Sequence, residues 1–460
     1  MTPRSKAGTA LAALREDLSG EVFAPDDPGY DGARTVFNSM IDRRPAVIAQ
    51  CESEADVVTA VRFARDLDLR VAVRGGGHSV AGNALGDAAL VIDLRRMNEV
   101  TVHPAAQAVQ VGGGAVMGDL DRACAPHALA TTGGRVSTTG VGGLVLGGGS
   151  GWLDRAFGLC VDNLLGVDLV TADGEILTAT AEDETELFWA LHGGGGNFGV
   201  ATSLTLRVHP LPAFAIALLL YPPESGPEVT RVYRDVLEAA PPEAGGGVLF
   251  MTGPPAPFVP PQLVGTLLCG AMVTYAGTEE ALRKVVRPLL ALAHEAELVT
   301  AMPYADFQCM LDDPPGLRNY WSAEYLTGAP DGLLDVYCAR AAAMPVPSPS
   351  KHVLLPLGGA IADGPTDYPV PYRKSPWAVH PFAVWEDPAD DDRSRQWVKD
   401  VRADVEPWST GAVYLNFTGD EGPERVAAGL GAENLRRLAE VKARYDPDNV
   451  FRFNHNIKPA

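Results

Sequence analysis

The most reactive arrangement in this 460-residue chain is Arg74-Gly75-Gly76-Gly77-His78-Ser79. Three successive glycines strip every Cβ from a turn, so backbone N–H groups can approach a bulky planar or phosphorylated ligand. His78 closes the turn, where its imidazole would point at whatever the glycines admit. An imidazole nitrogen is a good nucleophile near neutral pH. On composition alone, a glycine turn with a surface histidine is an equal reading.

Two further glycine segments follow. Thr138-Thr-Gly-Val-Gly-Gly-Leu-Val-Leu-Gly-Gly-Gly-Ser-Gly-Trp152 mixes bare backbone with Val141, Leu144, Val145 and Leu146, which favour burial. Close approach of backbone to a large ligand explains it better than a flexible loop does. His192-Gly-Gly-Gly-Gly-Asn-Phe-Gly199 formally contains GxGxxG at Gly194, Gly196 and Gly199. A dinucleotide fold needs a strand before that pattern and a helix after it, and here the order is reversed. Neither a nucleophile elbow nor a paired-histidine helix is present, so hydrolase and metalloenzyme readings have little support and no metal site is expected.

These segments need elements to hold them. Ala46–Gln50 reads as a buried strand, and Ser53–Asp68 as a helix with Ser53 as N-cap and Asp56 completing a capping box. Arg70–Arg74 returns as a strand into the glycines. Asp168–Ala172 and Glu175–Ala179 flank Asp173-Gly174, a hairpin signal. Glu184–His192 reads as a helix and Val200–Val208 as a strand. Glycine clusters thin out and proline rises near residues 209–214, which marks a domain boundary. Beyond it, Phe214–Tyr221, Leu263–Tyr275, His352–Ile361, Val379–Trp385 and Val413–Phe417 read as strands. Glu279–Ala293, with a break at Pro288, and Arg393–Val405 read as helices, which makes an α+β layer. Glu433–Arg444 closes the chain as a helix.

The formal net charge of −21 disfavours nucleic acid and anionic membranes as partners. Six scattered cysteines without CxxC speak for a reducing compartment. The N-terminal apolar stretch is broken by Arg15, Glu16 and Asp17, which is unlike a secretory signal. A soluble, cytoplasmic protein, monomer or homodimer, is expected.

In this order, the three glycine segments resemble the berberine bridge enzyme-like branch of the vanillyl-alcohol oxidase flavoprotein family. Arg43-Arg-Pro45, Gly158-Leu-Cys-Val-Asp-Asn163, Arg318-Asn-Tyr-Trp321, Tyr414-Leu-Asn416 and Tyr445-Asp-Pro-Asp-Asn-Val-Phe-Arg-Phe-Asn-His-Asn-Ile457 extend the likeness end to end. The resemblance implies an α+β protein with a two-lobed PCMH-type FAD-binding domain over residues 1–212, completed by 420–460. An α+β substrate domain over 213–419 would place an antiparallel sheet across the flavin.

By the same resemblance His78 bonds the flavin 8α carbon, fixing the cofactor and making it a stronger oxidant. A second, cysteinyl link is implied absent, because Val136 stands where its cysteine would be in Gly134-Arg-Val-Ser-Thr-Thr-Gly-Val-Gly-Gly143. Cys160 is read as a buried structural thiol. FAD contacts are expected from Arg74, Gly75, Gly76, Gly77, Ser79, Gly82, Thr139, Gly140, Val141, Gly143, Gly147, Trp152, Asn163, Gly199, Val200, Asn454 and Asn456. Val141 fits relatives that react well with O2.

The implied reaction is oxidation of a small-molecule alcohol or amine by hydride transfer to flavin N5, with O2 reduced to H2O2. Tyr414 is the expected base, with Asn416 beside it on one strand face, and its phenol pKa would need lowering by a nearby cation or by hydrogen bonds. Arg318, Arg373 and Lys374 are the candidates for that cation. Tyr320, Trp321, His380 and Glu386 are weaker pocket candidates. Thr139 keeps a second reading open, a monooxygenase or cyclase of secondary metabolism working through an oxygenated flavin.

Overall fold

The structure, a computed structural model, describes residues 3–460. Val47–Gln50, Leu90–Asp93 and Val71–Arg74 form a parallel sheet, edged by the antiparallel pair Val22–Phe23. All but two of the parallel-strand residues are buried, as expected of short apolar strands covered on both faces. The helix Glu54–Asp66 crosses between the first and third of these, packing Val57, Ala60, Val61 and Ala64 on the sheet. Ser53 caps it by accepting the Asp56 N–H at 3.2 Å. The Asp56 carboxylate does not close the expected box on Ser53. It accepts instead from the N–H groups of Glu52 and Ser19, tying the N-terminal segment to the helix.

A second lobe is a five-stranded antiparallel sheet, in the order Val100–His103, Ala108–Gly112, Val200–Arg207, Leu164–Val170, Ile176–Thr180. Its last two strands turn at Asp173-Gly174, where Gly174 has φ 73°. The helix Thr185–Leu191 precedes the third glycine segment and the strand Val200–Arg207 follows it. That order matches the one read from sequence against a nicotinamide fold.

The remaining large sheet has eight strands, all pairings antiparallel, running from Ala296–Ala301 at one edge to Arg318–Trp321 at the other. Its two faces are read off one strand, Ala215–Tyr221. Ala215, Ala217, Leu219 and Tyr221 pack under the helices Gly226–Ala239 and Asp331–Ala341, while Ile216, Leu218 and Leu220 point the other way, toward Trp152, Leu159 and Val161. Helices therefore cover one face, and the glycine-rich half of the chain covers the other.

Three sequence-based assignments change. Val413–Phe417 is not a strand: Tyr414 is extended, and Leu415–Phe417 is a single 3-10 turn. The strand beginning at Lys351 ends at Pro356, because Gly358 and Gly359 turn at φ 84° and 54° into the short helix Ala360–Asp363. The strand expected from Leu263 begins at Leu267, after a 3-10 turn over Pro261–Leu263. The helix expected over 279–293 breaks ahead of Pro288, into Glu279–Val285 and Arg287–Leu290.

The C-terminal segment returns to the first half of the chain. Leu438 and Val441, on the helix Ala432–Tyr445, pack with Leu187 and Phe188, and Phe451 bridges to Val71. Lys442 organises this return. Its ammonium is fully buried and donates to Asp446, to the Asn197 carbonyl at 2.6 Å and to the Phe451 carbonyl at 2.9 Å. Lys442→Met leaves the Asp446 carboxylate buried without its cation. The expected cost is about 3–5 kcal/mol of stability, read as a fall in the urea midpoint.

Candidate active site

The two lobes meet backbone to backbone. A Cβ on Gly76 would lie 2.5 Å from the Gly140 nitrogen, and one on Gly140 would lie 2.4 Å from the Gly76 nitrogen. Gly75 faces the Gly113 carbonyl in the same way, at 2.9 Å. From this seam a cleft opens, walled by Gly75, Gly76, Gly77, His78 and Ser79 on the first lobe and by Thr139, Gly140, Gly143 and Gly147 on the second. Gly193–Asn197 and Gly199 continue the wall, as do Phe451, Phe453, Asn454 and His455 of the tail. Trp321, Phe382, Asn416 and Phe417 close it from the large sheet's side.

The glycines serve two purposes. Cβ atoms at Gly143, Gly195 and Gly196 would meet no atom within 4 Å, so there the bare backbone faces open space. At Gly147, Gly148 and Gly149 the crowding comes from the protein itself, from Asn416, the Tyr372 hydroxyl and Cys160 respectively, each 2.3 Å from where a Cβ would stand. Those three glycines admit side chains, and Gly147 among them also lines the cleft, a distinction that the run of glycines in the sequence does not carry.

His78 stacks on Phe37, with centroids 3.7 Å apart, and its Nε2 lies 3.2 Å from the Thr138 hydroxyl. Burial pulls its pKa down to about 4, so the imidazole is neutral near pH 7 with a lone pair available. Across the cleft, Asn454 ties the Gly196 carbonyl to the tail at 3.1 Å, and its Oδ1 is buried without a partner. These residues fit FAD. Open backbone at Gly143 and Gly196 lets phosphate oxygens approach, an apolar wall is available to the ring, and a neutral nucleophile stands at one end.

Several expected contacts lie behind the wall. Arg74 is buried in an ion pair with Asp93 at 2.6 Å. Gly82, at φ 74°, packs on Ile41. Val141 turns into the second lobe's core, and Val200 packs behind the cleft in the first lobe's core. Trp152 meets Phe307 edge-on. Asn163 holds the Phe157 and Leu159 carbonyls at 3.0 Å, and Asn456 is not on the wall. Tyr320 cannot share the cleft with Trp321, because adjacent strand residues point to opposite faces. It packs on the helix side, and Glu386 is exposed. His380 sits behind the aromatic wall, stacked on Phe417 at 4.0 Å, with Nδ1 2.7 Å from the Ser322 carbonyl. Cys160 is buried and donates to the Thr132 carbonyl at 3.0 Å, away from the cleft.

Tyr414 is almost fully buried, one hydrogen bond behind the wall. Its oxygen accepts from the Asn416 amide at 3.0 Å and from the Ser150 N–H at 3.3 Å. The contact with Asn416 comes from the 3-10 turn and not from a shared strand face. Burial raises the phenol pKa, with the Cys160 thiol adding to the rise, while the two N–H donors pull it down. The cations expected to lower it are elsewhere: Arg318 is paired with Asp391, Arg373 with Asp162, and Lys374 is exposed. Arg135 is the nearby cation, and among the described residues it is the one charged side chain on the cleft wall. Its signal in the sequence was a lone charge inside a run of small and glycine residues. Phe382 and Phe417 carried no such signal, because only the sheet and the 3-10 turn bring them together.

A family model described as an FAD binding domain matches residues 45–180, and one described as berberine and berberine like matches 413–458. The (R)-6-hydroxynicotine oxidase of Paenarthrobacter nicotinovorans is 30% identical to the chain, over 99% of each. The crystal structure of 6-hydroxy-D-nicotine oxidase from Arthrobacter nicotinovorans superposes with a TM-score of 0.84 at 26% identity, covering 96% of this chain and 98% of that one. A berberine bridge enzyme-like protein of Physcomitrella patens shares the fold, with a TM-score of 0.86 at 22% identity over 98% of this chain and 99% of that one.

The seam separates two kinds of glycine. Gly76→Ala forces backbone apart and is expected to lower the melting temperature of the protein even without flavin. Gly196→Ala leaves that temperature unchanged and weakens flavin retention alone. Thermal melts of flavin-free protein, beside flavin absorbance per chain, check both.

Proposed function

Because the chain belongs to the berberine and berberine-like FAD-linked oxidoreductases and is an FAD-dependent oxidase, we propose that it oxidises a small-molecule alcohol or amine, with FAD bonded once, through His78. The FAD would take a hydride from the substrate carbon and pass the electron pair to O2, giving H2O2. Residues 1–212 with 420–460 would form the cofactor domain and 213–419 the substrate domain, a division supported by the packing of Leu438, Val441 and Phe451 on the first half of the chain.

The donor set around Tyr414 carries this reading. Its oxygen receives two N–H donors, and among the described residues no acceptor takes its own proton. Such a site suits an oxygen that alternates between phenolate and phenol. A substrate O–H reaches it by displacing the Asn416 amide, or through one water. The proton then moves to the Tyr414 oxygen as the carbon loses its hydride. Trp321, Phe382 and Phe417 exclude water and hold an apolar substrate. A neutral amine needs no strong base, so it depends less on Tyr414. His78, neutral on the wall, supports a single attachment, and Val136, also on the wall, offers no thiol for a second.

Thr139, on the same wall, supports a second reading as an oxygen-inserting enzyme. Labelled oxygen entering the product without matching peroxide would favour it.

In acid-precipitated protein, flavin fluorescence should stay with the wild-type chain and leave it in His78→Ala; a colourless wild-type pellet removes the covalent assignment. Anaerobic bleaching by a panel holding 6-hydroxynicotine and aryl alcohols should identify the substrate class. For an alcohol, Tyr414→Phe should slow that bleaching about 10²- to 10⁴-fold, and for an amine by less.

A further inference from the structure

We propose that Arg135 is a positioning residue for Tyr414, holding Ser150 in place and supplying the positive charge that a phenolate at Tyr414 requires. The inference rests on Tyr414 acting as the base.

The path is short and continuous. The Arg135 guanidinium donates to the Ser150 carbonyl at 3.1 Å and to its hydroxyl at 3.2 Å. Ser150 in turn donates its backbone N–H to the Tyr414 oxygen. The Ser150 hydroxyl also donates to Asp154 at 2.7 Å, so both ends of the serine are held. Arg135 is fixed between the Trp152 and Phe417 rings, 5.4 and 5.9 Å from their centroids. A guanidinium clamped on three sides loses little freedom when it acts as a fixed charge.

The charges around the phenol point to this one residue. Among the described residues, the titratable groups facing Tyr414 are Cys160 on the 3-10 turn Cys160–Asn163, Tyr372 on the turn Pro371–Lys374, Tyr325 on the strand Glu324–Leu326, and Arg135. Two phenols and a thiol are neutral near pH 7 and offer nothing to an anion by charge. Arg135 is the one cation among them. Its partner Asp154 is 3.4 Å away, a loose pair, and burial raises the pKa of that carboxyl. The guanidinium charge is therefore only partly cancelled where the phenol sits. A buried oxygen cannot ionise without such compensation.

The test reads the phenol itself in the flavin-loaded protein. Tyrosine labelled with 13C at Cζ is titrated by NMR, and the Tyr414 signal is assigned by its loss in Tyr414→Phe. Arg135→Met and the milder Arg135→Gln, which keeps a donor for Ser150, should each move the Tyr414 midpoint up by at least about one pH unit. Arg135→Lys, which keeps the charge, should return it close to the wild-type value. An Arg135→Gln midpoint equal to wild type overturns the proposal, as does an Arg135→Lys midpoint as high as that of Arg135→Gln. Failure of the base reading shows separately: Tyr414→Phe would then bleach at the wild-type rate with an alcohol, whatever the midpoints do.

Discussion

The architecture depends on the contact between Gly76 and Gly140. Two lobes with separate sheets touch there through backbone alone, nearer than any Cβ allows. Side chains at the seam would hold the lobes apart. Without them the cleft floor is made of main-chain atoms, which a ligand can approach closely. His78 follows two residues later, so the geometry that brings the lobes together also delivers the imidazole to the cleft.

The large sheet docks on the same half of the chain. One face is satisfied by its own helices, while the other has to pack on the glycine-rich half of the chain. Buried polar clamps fix that docking. Arg155 donates to the Ala244 carbonyl at 2.7 Å and to the Leu237 carbonyl at 3.2 Å, while Arg373 reaches back to Asp162. Side-chain donors that cross between layers in this way set the register between them, because leaving one unsatisfied is costly. The aromatic wall of Trp321, Phe382 and Phe417 thereby begins beside His78, whose ring centroid lies 6.5 Å from that of Trp321. Asn416 takes up the space above Gly147, and Tyr372 that above Gly148. A glycine run that looked like a ligand cradle is thus partly a socket for the other half of the protein.

The polar centre behind that wall works against burial. Tyr414, Ser150 and Asp154 are buried, Arg135 reaches them half-buried from the cleft wall, and each bond among them offsets a desolvation cost. In so dry a place a single guanidinium matters more than it would at the surface, where salt and water screen it.

The sequence by itself determined the local pieces. The glycine turns, the strands at Ala46–Gln50 and Arg70–Arg74, the hairpin at Asp173-Gly174 and the helix capped by Ser53 follow from backbone chemistry and apolar period, which act over a few residues. The glycine turn ending in His78 was legible for the same reason, since a Cβ-free turn closed by an imidazole is a local pattern, whereas the seam between Gly76 and Gly140 was not. Only the tertiary structure decided which glycines face open space and which face Asn416 or Cys160. It also exchanged Arg318 and Arg373 for Arg135 as the cation beside Tyr414, and moved Tyr414 off a strand onto the edge of a 3-10 turn. Those outcomes depend on burial and on charges brought together from segments far apart in the chain, and neither quantity exists until the lobes and the large sheet have docked.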